Sequence, residues 1–544
     1  MTNKAIAQSF QLLGQLMQLQ GENPYKIRSY ENAYRKLRSW EVPLSSMTDE
    51  EITAISGVGK AIHGKIRELL DNGKMNTLER YKTQVPAGVQ EMLQIKGFGA
   101  KKIKTIWQDL GAESIGELLY AVNENRLIEL KGFGAKTQED LRQKLEYYQQ
   151  SKDQFHYARL EAVAEAVLEE LRQLLPTGKI ELTGKIRRKM PVLSQIEVLI
   201  AADDGSREKI AQRYATEKMA GDTMDIRFGE QQIPVRLYYC EEANFGQKQI
   251  EYTGNTAFVA SLRLDSNKGT NKREEISVFE QLNMPFVFPE LREQAFSETL
   301  TKSQLIEDQH LKGIFHVHTT ASDGAHTLED MCRYTQSLGY EYIGITDHSK
   351  SAFYASGLKE AELIEQWTAI DELNQKLAPF QIFKGIESDI LNDGRLDYEE
   401  DFLRQFDFIV ASVHSNLKMD EAKATKRLIT AIENPYTSIL GHPTGRLLLS
   451  RKGYPIHHEK VIDACAANAV HIELNANPYR LDLDWKWIPY ALEKGVKIAI
   501  NPDAHSKAGL HDMHFGVLAA RKGGLTKKDC LNAFGVEEVK AFLK

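Results

Sequence analysis

Gly313-Ile-Phe-His316-Val-His318-Thr-Thr-Ala-Ser-Asp323-Gly324 is an apolar run that breaks into two histidines and an aspartate, and the same event recurs along the chain. Tyr342-Ile-Gly-Ile-Thr leads into Asp347-His348, Ile382-Phe-Lys-Gly-Ile into Glu387, and Phe408-Ile-Val-Ala-Ser-Val into His414. Ser438-Ile-Leu-Gly leads into His442, Val470-His-Ile-Glu-Leu into Asn475, and Val496-Lys-Ile-Ala-Ile into Asn501-Pro-Asp503-Ala-His505. Apolar β-rich runs separated by helical stretches predict parallel strands with helical crossovers. Closed into a barrel, seven such strands would deliver the loops after their carboxyl ends to one rim.

The residues expected to meet there are His316, His318, Asp323, His348, Glu387, His414, His442, Asp503 and His505. One ion takes three or four protein ligands and keeps a position open, so this set predicts two or three divalent ions. Nitrogen and oxygen ligands without thiolate suit Mn²⁺, Zn²⁺ or Fe²⁺, and carboxylates with a phosphate substrate favour Mn²⁺. His326, His457, His458, His471, His511 and His514 are assigned ordinary structural roles, and Asp347 is read as orienting its neighbours rather than as a ligand. Arg446 and Arg480 are candidates for bidentate phosphate contacts, the alternative for each being a salt bridge on the barrel rim.

Upstream, one pattern occurs three times: Ile55-Ser-Gly57-Val-Gly59-Lys60, Ile95-Lys-Gly97-Phe-Gly99-Ala-Lys101 and Leu130-Lys-Gly132-Phe-Gly134-Ala-Lys136. Gly-x-Gly between helices permits a tight hairpin whose following helix presents free N–H groups to an anion, with a lysine alongside. These ten residues, counting Lys65 in the first hairpin's second helix, are the expected phosphate contacts. Residues 1–150 carry 21 Lys+Arg against 18 Asp+Glu, whereas the remainder carries 48 against 58. A formal charge of -7 for 544 residues therefore hides a mildly basic front and an acidic rear.

The triple repeat resembles the helix-hairpin-helix motif, which grips nucleic-acid backbone without reading sequence. Asn23-Pro-Tyr-Lys-Ile-Arg28-Ser-Tyr30 through Trp40 resembles the amino-terminal domain of family-X DNA polymerases, in whose eukaryotic beta-type members a lysine matching Lys65 forms a Schiff base with abasic sugar. Lys60 and Arg67 on the same helix favour reading Lys65 as a solvated or phosphate-contacting residue. Gly184, Arg187, Arg188, Thr253 and Gly254 resemble the polymerase core of that family, but Gln195, Glu197 and Pro234 stand where the resemblance implies three metal-binding aspartates. One carboxylate does not bridge two Mg²⁺ ions, so nucleotidyl transfer is not expected. The barrel residues resemble the PHP (polymerase and histidinol phosphatase) domain through His316-Val-His-Thr-Thr-Ala-Ser-Asp323-Gly324 and the later motifs. That resemblance implies a distorted (β/α)7 barrel with a trinuclear metal site.

The expected fold is multidomain α and α/β. Residues 1–80 and 81–150 would form all-α helix-hairpin-helix domains, 151–300 a degenerate α+β nucleotidyltransferase-like domain with a shortened thumb, and 301–544 the PHP barrel. The expected function is a metal-dependent DNA 3′–5′ exonuclease or 3′-end-processing phosphodiesterase of DNA repair, with His316, His318, Glu387, Asp503, Arg446 and Arg480 as the catalytic group. The resemblance also implies abasic-site endonuclease and 3′-phosphatase activity. The rivals are a gap-filling polymerase, a small-molecule phosphatase of histidinol-phosphatase type and a non-catalytic DNA scaffold. The expected partner is gapped, 3′-recessed or abasic duplex DNA, with the oligomeric state left open. Four scattered cysteines, no apolar run long enough for a membrane and no secretory leader place the chain in the cytoplasm.

Overall fold

Gly57, Gly97 and Gly132 adopt φ of +89°, +81° and +89°, a left-handed conformation that side chains disfavour. Each turn is closed by the same hydrogen bond, from Val58 N–H to Ile55 C=O, Phe98 to Ile95 and Phe133 to Leu130. The apolar residue inside each Gly-x-Gly (Val58, Phe98, Phe133) is buried, which anchors the hairpin while its glycines face outward. Helices follow directly at Lys60–Asn72, Ala100–Leu110 and Ala135–Ser151. The computed structural model describes every residue except 96, 124–125, 131, 152, 204, 215, 265–271, 302–303 and 544.

The chain divides into two compact units, Met1–Lys152 and Asp153–Lys544. The first is helical, and one hydrophobic core runs from Ile6 to Leu145 through all three hairpins. It therefore shows no break near residue 80. Thr2 caps its first helix and a Thr48–Glu51 capping box starts the short helix Asp49–Thr53, satisfying N–H groups that a helix start leaves open.

The second unit begins with helix Tyr157–Leu174, whose apolar stripe of Leu160, Ala164, Val167 and Leu171 packs on a five-stranded mixed sheet. Its strands, in spatial order, are 179–182, 196–201, 233–239, 223–228 and 216–220, and the only parallel pair among these described strands is 196–201 with 233–239. The expected shortened thumb falls partly on 265–271, outside the described residues.

Seven parallel strands then follow: β1 Gly313–Val317, β2 Tyr342–Ile345, β3 Gln381–Asp389, β4 Phe408–Ser412, β5 Ile439–Leu440, β6 His471–Asn475 and β7 Ile498–Asn501. They pair in chain order. The barrel closes through a parallel bridge between Val317 of β1 and Ala504, just past β7. Phe315, Tyr342, Phe383 and Phe408 form an aromatic cluster with the carboxyl-terminal Leu531 and Val539. A Cβ added at Gly385 would collide with the Phe408 ring, so β3 needs glycine there for the cluster to fit. With that volume filled by rings, polar side chains collect at the strands' carboxyl ends. Among the described residues, no helix is long and apolar enough to cross a membrane.

Within this unit, the five-stranded sheet region and the barrel share more than a chain connection. Arg188 donates to Glu293 at 2.9 Å, and the fully buried Lys522 of helix Met513–Lys522 reaches Glu293 at 2.6 Å and the Arg188 carbonyl at 2.7 Å. Arg187 and the buried Arg292 both pair with Glu275, at 2.5 and 2.6 Å.

Candidate metal centre

β1 carries a register shift between Ile314 and Val317, and His316 sits there at φ +60°. A bulge of this kind re-aims side chains, and here both His316 and His318 are fully buried at the barrel mouth. Asp503, beyond β7, is likewise left-handed at φ +52°. Two of the expected ligands thus occupy backbone conformations held by the closure of the barrel, a cost characteristic of functional sites.

Glu387 is the hub. Its Oε1 lies 3.0 Å from His442 Nε2 and 3.1 Å from both His414 Nε2 and His316 Nε2. Its Oε2 lies 3.0 Å from His348 Nδ1 and 3.6 Å from His318 Nε2. Asp503 Oδ1 stands 3.2 Å from His318 and 3.5 Å from His316. On the outer side, Asp323 Oδ1 lies 3.3 Å from His505 and 3.6 Å from His348. Three groupings bring their ligand atoms within 4.8 Å of one another: His316-His318-Glu387-Asp503, His318-Asp323-His348-His505 and His348-Glu387-His414.

These residues fit divalent cations on their own geometry. Two ligands of one ion at about 2.1 Å each are separated by roughly 3.0–3.5 Å in tetrahedral or octahedral arrangement, which is the spacing seen. Among the described residues, His316 Nε2, His318 Nδ1 and Glu387 Oε2 are buried without an aligned hydrogen-bond partner, a costly state that a cation would relieve.

Electrostatics point the same way. Burial alone would raise the Glu387 and Asp503 carboxyls, yet the imidazoles around them, His414 and His316 foremost for Glu387 and His316 for Asp503, hold both well below the usual carboxylate range. Burial would lower His316, but Glu473, Glu387 and Asp503 hold it well above its ordinary value. Against the same opposing burial, Glu387 and Asp389 lift His414 to about 10, while Asp323 and Asp503 lift His505 to about 9. Burial and His505 instead push His318 down to about 4. The centre thus holds carboxylates ionised in a dry site and compensates them with imidazole protons, which divalent ions would displace.

The supporting residues were mostly outside the expected set. Glu473 takes His316 Nδ1 at 2.6 Å and Asp389 takes His414 Nδ1 at 2.5 Å, fixing the orientation of both rings. Asn475 and Asn501 donate to Glu473 in turn, at 3.1 and 3.0 Å. Glu473 and Asn475 are two apart on β6 and therefore share a face, the signal that would have found Glu473. Asp347 accepts from Thr319 N–H (2.7 Å), Ser322 (2.5 Å) and Gln366 (2.6 Å), bracing the loop that carries Asp323.

Arg480 lies 3.7 Å from Asp503, at the edge of the centre. Arg446 is placed differently from the expected phosphate contact. It pairs with Asp484 at 2.5 Å and donates to the carbonyls of Arg480 and Leu481, so its fork is used to brace that loop. The six histidines assigned structural roles have them: His458 stacks on Trp487, His471 meets the Phe542 carbonyl, His511 meets Tyr334, and His514 joins Asp308 to Glu161. His457 caps its helix, and His326 accepts from Lys507 N–H.

In the first unit, Lys60, Lys101 and Lys136 are exposed at the starts of the hairpin helices, and Lys65 is half-buried one turn on. Gly59 and Gly99 occupy N-caps without a side-chain cap, and Gly134 precedes Ala135–Ser151. In the second unit, Gln195 precedes the strand carrying Glu197. Glu197 accepts from Lys185 N–H at 3.0 Å and Tyr238 Oη–H at 3.1 Å. Gly184 (φ +63°) leaves no room for a Cβ beside that carboxylate. Opposite Glu197 in the parallel register stands Arg236, two residues past Pro234, doubly bonded to Asp225 at 2.7 and 2.9 Å. Where a two-metal polymerase centre needs three free carboxylates, this sheet offers Glu197 and an Asp225 already paired with Arg236. The residues do not fit such a centre, and among the described residues no group of three ligands forms there.

Comparison with known proteins gives two family matches, a helix-hairpin-helix domain over residues 1–75 and a PHP domain over residues 315–477. The chain is 34% identical over 576 aligned positions, covering 100% of both chains, to the DNA polymerase/3′-5′ exonuclease PolX of Bacillus subtilis (strain 168). Over 42% of its length the chain is 29% identical to a protein described as a probable phosphatase of Thermoanaerobacter sp. (strain X514), covering 93% of that one. A second such protein, from Caldicellulosiruptor bescii, is 33% identical over 36% of this chain and 80% of its own.

Proposed function

This chain belongs to the bacterial family-X DNA polymerase/3′-5′ exonuclease family, and on that premise we propose that its barrel is a metal-dependent 3′–5′ exodeoxyribonuclease and 3′-end-processing phosphodiesterase of DNA repair. The observation that carries this reading is the buried hub at Glu387, where five histidines approach one carboxylate at ion-sharing distances. His316, His318, Asp323, His348, Glu387, His414, His442, Asp503 and His505 would hold two or three divalent ions, Mn²⁺ preferred for the carboxylate share of the set over Zn²⁺ or Fe²⁺. Such ions supply Lewis-acid activation of water and neutralisation of a phosphodiester.

The chain's own residues do the rest. Glu473 and Asp389 hold His316 and His414 in one orientation, and Asp347 holds the Asp323 loop. Arg480, beside Asp503, presents a guanidinium to a phosphate entering the rim. The helical unit binds DNA through backbone contacts at its three hairpins, with Lys60, Lys65, Lys101 and Lys136 beside the Gly-x-Gly turns. Its substrates are 3′-recessed, gapped or abasic duplexes, encountered in the cytoplasm. Residues 151–300 are a polymerase-like domain without nucleotidyl transfer, retained as a bracket on the barrel.

The test is degradation of 3′-recessed and abasic duplexes with Mn²⁺ by wild type and by His316→Ala/His318→Ala. Cleavage by the double variant at the wild-type rate would overturn the assignment, and dNTP incorporation lost in Glu197→Ala would reinstate the polymerase.

A further inference from the structure

Phe353 is 88% exposed, more than any other large apolar side chain among the described residues. Single exposed apolar residues are ordinary, so the placement of this one matters more than its exposure. It lies in the loop between His348 and helix Glu360–Leu377. The loop is tightly built. Ala352 and Ala355 on either side are buried, Ala352 and Gly357 N–H close turns onto Ser349 and Ala352 carbonyls, and Leu358 N–H returns to the His348 carbonyl at 2.8 Å. Ser351 donates its N–H to Asp397 at 2.6 Å and its hydroxyl to Asp389 at 3.0 Å, the same Asp389 that orients His414. The ring is thus displayed outward from a segment tied to the metal centre.

A second exposed ring stands on the same rim. Tyr479, 59% exposed, follows β6 and directly precedes Arg480, which lies 3.7 Å from Asp503. Its backbone is pinned by Asn477 Oδ1 and Leu448 N–H, and its ring meets His156 edge-on at 4.7 Å. Among the described residues, the barrel's other exposed large apolar side chains are Leu338, the C-cap of helix Leu328–Ser337, and Ile364, within helix Glu360–Leu377. Both exposed aromatic rings therefore occupy loops at the ligand-bearing ends of strands.

An exonuclease must bring a terminal phosphodiester to a buried centre, which requires the terminal bases to leave their duplex, and every base offers a π-face whatever its identity. We propose that Phe353 and Tyr479 are stacking platforms for the unpaired bases of the scissile strand, so that the bound substrate is a frayed or single-stranded 3′ terminus read without sequence preference. This inference rests on the exonuclease reading.

The experiment measures Mn²⁺-dependent degradation of duplexes with single-stranded 3′ tails of increasing length by the full chain. For wild type, KM should fall as the tail lengthens. Phe353→Ala should raise KM on the longest tail by about 5- to 100-fold and flatten that dependence, as loss of one base–aromatic stack implies. Phe353→Trp should restore both, and Tyr479→Phe should retain what Tyr479→Ala loses. Wild-type KM values in Phe353→Ala at every tail length, or a Phe353→Trp enzyme as impaired as the alanine variant, would overturn the platforms. Wild type that leaves every DNA intact would instead remove the exonuclease reading on which they rest.

Discussion

The Nδ1 of His316 lies 2.6 Å from a carboxylate oxygen of Glu473, with both side chains fully buried. The pair leaves His316 Nε2 facing Glu387 and Asp503, so a residue outside the expected ligand set decides where a ligand points. Glu473→Gln keeps the shape and removes the charge. We expect the Mn²⁺ concentration for half-maximal exonuclease activity to rise about 10- to 100-fold, with activity returning at saturating metal. An unchanged metal titration would assign Glu473 to packing alone.

Chelation tests the site without mutation. Glu387 and Asp503 are ionised and buried among imidazoles, and ions bound only by the folded state add stability. Removing divalent ions should lower the thermal midpoint of the second unit, by the equivalent of about 3 kcal/mol per site held at 100 times its Kd. Readdition of Mn²⁺ should restore midpoint and activity together in a calorimetric and kinetic titration.

Glu293 faces two cations, Arg188 at 2.9 Å and the fully buried Lys522 at 2.6 Å. Burial pulls the Lys522 ammonium down to about 8 despite Glu293. Glu293→Gln leaves that buried ammonium without its anion and should destabilise the second unit by about 3–5 kcal/mol in urea unfolding. Adding Lys522→Met should recover most of the loss, since the uncompensated charge is then gone.

His514 sets a pH dependence of stability. Hydrogen bonds to Asp308 and Glu161 raise it to about 10 in the folded chain, against an unfolded value near 6.5. A raised folded-state value means the stabilisation is complete below about pH 6.5 and is lost as pH rises through about 10. The unfolding midpoint should fall across that window, and His514→Gln should make the fall shallower.

Lys60, Lys101 and Lys136 should act through phosphates alone. Each changed to Gln should weaken DNA binding equally on unrelated sequences, and the slope of log K against log salt should drop by about 0.9 for each phosphate no longer neutralised. A sequence-dependent change would assign that lysine to base recognition.

Strand after strand ending in His, Asp or Glu made the barrel, and the gathering of those side chains at one rim, readable from the chain alone, because parallel strands with crossovers have one place to gather their carboxyl ends. The Gly-x-Gly repeats were readable for a similar reason, since the residue type states the backbone conformation it permits. What only the tertiary structure decided lies in pairings between distant segments. Arg446 is equally fit for phosphate and for a salt bridge by residue type, and the fold fills its fork with Asp484 and two loop carbonyls. Sequence spacing places Glu473 on the Asn475 face of β6 without saying what it touches, and it is a positioning group because the fold brings His316 of the bulged β1 within 2.6 Å of it. Arg187 and Arg188 resemble residues of a polymerase core, and the fold closes them on Glu275 and Glu293. Local pattern announces which groups can bind or bend, but a charged side chain's role is set by which opposite charge the fold brings within reach, and that depends on packing across the whole unit.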